Sequence, residues 1–93
     1  MKRIQIGTCL FEGYEIPTRN SIILLIKARN GFLGCGYFSR ETAEKTGDAA
    51  VIVTGVKTFD EMLEAKVKAV SQAAAALGVT AEMNGKEALL KLS

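Results

Sequence analysis

Ser21-Ile-Ile-Leu-Leu-Ile-Lys-Ala28, followed by Asn30-Gly31 and then Phe32-Leu-Gly-Cys-Gly-Tyr-Phe38, carries the strongest structural signal in the chain. Ser21 to Ala28 is apolar and β-branched at most positions, which predicts a strand buried on both faces. Asn30-Gly31 is a strong hairpin signal because both residues tolerate positive φ. Phe32 to Phe38 then returns as the partner strand, with Phe32, Gly34, Gly36 and Phe38 on one face and Leu33, Cys35 and Tyr37 on the other. Upstream, Arg3 to Phe11 reads as a strand and Glu12-Gly13 as a tight turn. Tyr14 to Ile16 is a second strand, which Pro17 ends or confines to an edge because it has no N–H to donate.

Downstream the pattern changes to alternating helix and strand. Ser39 is placed to cap a short helix from Arg40 to Thr46 that Gly47 ends. Ala49 to Thr54 is a short apolar strand. Residues 32–54 therefore form a strand–helix–strand unit, a connection that favours parallel pairing. Thr58-Phe-Asp-Glu61 reads as a capping box opening a helix. Phe59, Met62, Leu63, Val67, Val70, Ala74 and Leu77 share one stripe at 100° per residue, so that helix has a phase that could reach Leu77. Gly78 with Val79 behind it is a helix stop. Asn84 caps a last helix, Gly85 to Leu92, with Glu87 at its third position. The fold class is α+β: an N-terminal antiparallel β region of hairpins, a strand–helix–strand unit, and a mixed sheet covered by two to four helices. Its 93 residues make one domain.

Composition excludes several chemistries. There is no histidine, so neither Ser-His-Asp nor Cys-His catalysis nor an imidazole metal site is available. Two cysteines fall short of a four-cysteine zinc site. Asp60 and Glu64 share a helix face at i, i+4, but with Asp48 and Glu61 they read as solvated carboxylates, and no metal site is assigned. Net charge is +2, with six basic and two acidic groups in residues 1–40 and six and eight in 41–93. No dense basic stripe or aromatic-studded basic strand accompanies it, which argues against nucleic-acid binding. The longest aliphatic run, Ile22 to Ile26, is far too short for a membrane span. Met1-Lys2-Arg3 lacks a following apolar segment, so the expected compartment is the cytoplasm, with Cys9 and Cys35 reduced. Apolar side chains and glycine together exceed the usual share of about 45–50%. A chain this small buries only about 64% of its surface, so part of the surplus is expected to lie against another copy of the chain.

The segment Leu77-Gly-Val-Thr-Ala-Glu-Met-Asn-Gly-Lys-Glu-Ala-Leu-Leu-Lys-Leu92 resembles the YunC-like family of small prokaryotic proteins. The likeness continues through Val56-Lys57-Thr58, Asp60, Met62-Leu63, Gly31 and Cys35-Gly36. It implies an α+β domain over residues 1–93, in which the β-rich region 1–38 assembles subunits as a homo-oligomer, a tetramer, and residues 39–93 form the α/β part. It implies no established reaction and no cofactor. Two positions depart from the family pattern. The family has Pro where this chain has Lys66, and Gly where it has Glu82. A helix running to Leu77 would be about 28 Å long; the family geometry instead favours a break near Ala65.

Three groups of residues are candidates for chemistry. Cys35, between Gly34 and Gly36, is a candidate nucleophile; lacking a histidine, it would need Arg40 or Lys57 to stabilise a thiolate. Its plainer reading is a small buried hydrophobe. Gly34 and Gly36 mark a close approach to the strand, by a ligand or, more simply, by a packed element such as the alanine-rich helix. Gly55-Val56-Lys57-Thr58 lies between a strand and a helix start, a place where anions bind. It is neither a Walker motif nor a dinucleotide fingerprint, and Thr58 has a simpler role as a cap. The functional readings are a homo-oligomeric small-molecule or protein-binding module, a cysteine-dependent enzyme or redox protein using Cys35, and an anion-binding domain at Gly55–Thr58.

Overall fold

The computed structural model describes residues 1–93. Six strands form one sheet in chain order. They are β1 (Lys2–Ile6), β2 (Cys9–Pro17), β3 (Ile22–Lys27), β4 (Phe32–Gly34), β5 (Ala50–Ile52) and β6 (Ala69–Val70). The helices are α1 (Arg40–Thr46), α2 (Phe59–Glu64), α3 (Gln72–Ala76) and α4 (Gly85–Leu92). Only β4 and β5 pair in parallel, through the α1 crossover; all other neighbours are antiparallel. The fold is α+β with a mixed sheet, as the pattern of elements predicts.

The first hairpin turns earlier than its sequence suggests. Ile6 pairs with Cys9, so Gly7-Thr8 is the turn, with Gly7 at φ 61°. That positive φ at the first central position suits a II′ turn, whose twist matches the strands. Glu12-Gly13 instead lies inside β2, where Gly13 pairs with Lys2 on one side and Ile26 on the other. Glycine serves there because a Cβ would lie 2.7 Å from Ile4 Cδ1 and 2.9 Å from Phe59 Cζ. Pro17 ends β2 as expected.

The β3–β4 hairpin forms where Asn30-Gly31 predicts it, but neither residue has positive φ. Gly31 is required sterically: a Cβ would collide with the carbonyl of Ala49. The returning strand stops at Gly34 rather than Phe38, and β3 is buried on one face only. Leu24, Ile26, Leu33 and Val51 fill the core with Met62, Ala74, Leu89 and Leu92 from the helices. On the opposite face, Phe38 folds back over Gly34 and its ring lies 5.6 Å from that of Phe32.

The apolar stripe from Phe59 onward is not one helix. α2 ends at Glu64, and Ala65 is extended at φ −68° and ψ 141°. The break falls where the family pattern has Pro. The chain then continues as strand: Val67 N–H bonds Met83 O, Lys68 N–H bonds Ile52 O and Ser71 N–H bonds Ala50 O. This segment satisfies the outer edge of the buried strand β5, which a continuous helix would leave without partners. The remaining caps form as read. Ser39 accepts from Thr42 N–H, Gly47 is left-handed, and Asn84 with Glu87 makes a full capping box.

Candidate functional site

β4 and β5 run in the same direction, so the loops that follow them emerge at one end of the sheet. β3, antiparallel to β4, begins at that end. Chain segments from these three places meet around a cavity of about 370 Å³, lined by Ser21, Ile22, Cys35, Gly36, Tyr37, Gly55, Val56 and Lys57. Its size lies at the low end of small-ligand sites, about 300–1,000 Å³. Its position, outside the carboxyl ends of parallel strands, is where open sheets place ligands.

Gly55, at φ 71°, adopts a backbone conformation that side chains disfavour and turns the chain from β5 into the wall of the cavity. Gly36 is exposed, and a Cβ there would touch only Thr54 Cγ2 at 3.6 Å. Cys35 is 4% exposed. Its N–H bonds Leu24 O at 3.1 Å, and its Sγ accepts the Leu24 N–H at 3.3 Å. The sulfur therefore occupies the place of a backbone acceptor and carries the β3–β4 ladder one residue further. Tyr37 stands beside it, its hydroxyl 3.4 Å from Thr18 Oγ1.

Of the candidate residues, the structure brings Cys35, Gly36, Gly55 and Lys57 together and leaves three outside. Gly34 is filled over by Phe38, whose Cδ2 would lie 2.7 Å from a Cβ; the close approach comes from this side chain, not from the alanine-rich helix. Arg40 is the exposed first residue of α1 and does not line the cavity. Thr58 caps α2, its Oγ1 accepting from Glu61 N–H at 3.1 Å. The reciprocal bond of the expected box is displaced by one residue, with Glu61 Oε1 accepting from Lys57 N–H at 2.7 Å. These two side chains engage the Lys57 and Glu61 amides at the helix start. Ser21, Ile22 and Tyr37 were missed as lining residues, and only the adjacency of β3 and β4 could have indicated them.

A second feature is the outer face of β1–β3. Strand pairing places Arg3 and Gln5, then Leu10, Glu12, Tyr14 and Ile16, then Ile23, Leu25 and Lys27 on the face away from the core. Leu10 is 63% and Ile16 59% exposed. Tyr14 donates its hydroxyl to Glu12 Oε1 at 2.8 Å. This hydrogen bond, to a carboxylate whose charge opposes ionisation, holds the phenol pKa above its ordinary value.

Fold and cavity together define a small α+β domain whose one parallel strand pair opens onto a surface pocket. Residues 34–92 match the family described as a domain of unknown function, DUF1805, and the chain belongs to that family. It is 36% identical to the uncharacterized protein YunC of Bacillus subtilis (strain 168), over 84% of this chain and 79% of that one. It is similar in structure to a protein of unknown function, TA1206, from Thermoplasma acidophilum. That likeness has a TM-score of 0.93 and 38% identity, and covers 99% of this chain and 90% of the other. No helix is long and apolar enough to cross a membrane.

Proposed function

We propose that this chain is a small-molecule-binding module of the cytoplasm that works as a homo-oligomer. The cavity between Ser21, Cys35 and Lys57 carries the reading. It joins segments far apart in sequence at the carboxyl ends of the parallel strands, and it combines an ammonium, hydroxyls and a thiol with apolar Ile22 and Val56. A few convergent polar groups on a partly apolar wall are what a ligand site requires. Cys35 serves this site as a packed wall residue whose sulfur is committed to the Leu24 amide, rather than as a nucleophile.

Assembly is supported by the bare β1–β3 face. The chain exposes 5,754 Å², against about 5,200 Å² for a compact monomer of its mass. The apolar side chains on this face, beside the opposite charges of Arg3, Glu12 and Lys27, suit a self-complementary contact between copies.

The test of the cavity is a thermal-shift screen of a few hundred small polar fragments against the native chain and Gly36→Leu. The substitution places a side chain among the lining residues without straining the backbone. Fragments that stabilise the native chain and lose that effect in Gly36→Leu support the reading. No stabilising fragment, or equal shifts in both proteins, would overturn it.

A further inference from the structure

Lys57 is the only Lys, Arg, Asp or Glu among the cavity-lining residues. Its ammonium has no carboxylate within 4.0 Å, since the one ion pair of that length joins Lys45 to Glu41. The backbone N–H groups of Gly36, Tyr37, Gly55 and Val56 donate to no acceptor within the chain. The lining therefore offers a free cation and unengaged donors; the one carboxylate that bonds a lining residue, Glu61, takes the Lys57 N–H and makes no ion pair with its ammonium. Ile22 and Val56 are half-buried and supply an apolar wall. The start of α2 is not counted here: its Glu61 N–H is taken by Thr58, and the Lys57 N–H before it by Glu61.

We infer that the ligand of this cavity is a small molecule with an anionic head, a carboxylate or phosphate held by Lys57 and the free amides, and a short apolar part against Ile22 and Val56. This rests on the reading of the cavity as a ligand site and adds the ligand's chemical class. Charge-assisted bonds to an ammonium and to backbone amides are the strong ones, and a neutral molecule of the same shape forfeits them.

The amide resonances of Gly36, Gly55 and Val56 provide the test. Inorganic phosphate, hexanoate and 1-hexanol are titrated separately into the native chain and into Lys57→Gln, whose spectrum away from these loops verifies the fold. Saturable shifts are expected with at least one anion. Phosphate alone would identify a phosphate head, and hexanoate alone a carboxylate on an alkyl chain. Hexanol should bind at least about tenfold more weakly than the effective anion, and Lys57→Gln should weaken that anion by a similar factor, the loss of one bond to a charged group. Hexanol binding as well as either anion, or anions binding Lys57→Gln as well as the native chain, would overturn the inference while leaving the cavity as a ligand site. Absence of shifts with all three probes at millimolar concentration would overturn the inference. Stabilising hits in the fragment screen would then show that the cavity itself still takes ligands, and their absence would remove both.

Discussion

Ser71 is fully buried, and its hydroxyl holds three segments together. It accepts from Ala50 N–H at 2.9 Å and Ala74 N–H at 3.3 Å, and it donates to Asp48 O at 2.9 Å. Ser71→Ala leaves the amide of fully buried Ala50 without a partner, at a cost of about 2–3 kcal/mol. Urea denaturation measures this, and a loss below about 0.5 kcal/mol, the range of inert surface changes, would contradict it. Glycines separate by the same local reasoning. Gly31→Ala drives a methyl into the Ala49 carbonyl and should destabilise by about 1–3 kcal/mol. Gly36→Ala meets only Thr54 at 3.6 Å and should stay within about 0.5 kcal/mol; equal effects at the two sites would refute the distinction. At this scale the sequence was partly legible. Gly31 and Cys35-Gly36 stood out as unusual, but their reasons differ. Gly31 yields to the Ala49 backbone and Gly36 faces an open cavity beside Thr54, each 18 residues away in the chain, while Gly34 yields to the ring of Phe38, four residues on, because the strand stops and the chain folds back.

The segment after α2 shows how an element is chosen by its neighbours. The residues from Phe59 to Leu77 fit one helical stripe, yet the chain leaves the helix at Ala65 and pairs with β5. Helical phase is a local property, while the unpaired edge of β5 is a demand made by tertiary structure. Lys66 is well placed for proline: its N–H bonds no acceptor in the chain, and Ala65 before it already has the extended conformation that a proline imposes. Lys66→Pro should therefore be neutral or stabilising by up to about 1 kcal/mol, through the reduced freedom of the unfolded chain. A continuous helix would instead lose about 3 kcal/mol or more, so thermal denaturation of this variant separates the two arrangements. The caps at Ser39, Gly47, Gly78 and Asn84 were legible because capping is decided within four residues.

For the whole molecule, the bare face of β1–β3 sets the expected behaviour in solution. Leu10 and Ile16 are the most exposed apolar side chains within the strands. Light scattering should give a mass that is a multiple of 10.0 kDa. Leu10→Glu combined with Ile16→Glu should shift it toward the monomer while the far-ultraviolet circular dichroism is kept. A native chain that runs as a monomer at micromolar concentration would contradict assembly through this face. The α+β class, the strand–helix–strand unit and its parallel pair, the capped helix ends and the exclusion of histidine chemistry are all legible in the order of residues. These follow from hydrophobic period, turn residues and composition, all of which act over a few neighbouring positions. That Cys35, Gly36, Gly55 and Lys57 share one cavity with Ser21 and Tyr37, while Gly34, Arg40 and Thr58 stand outside it, emerges only from the folded arrangement. The order of strands in the sheet sets which loops meet, and that order depends on pairing between segments tens of residues apart.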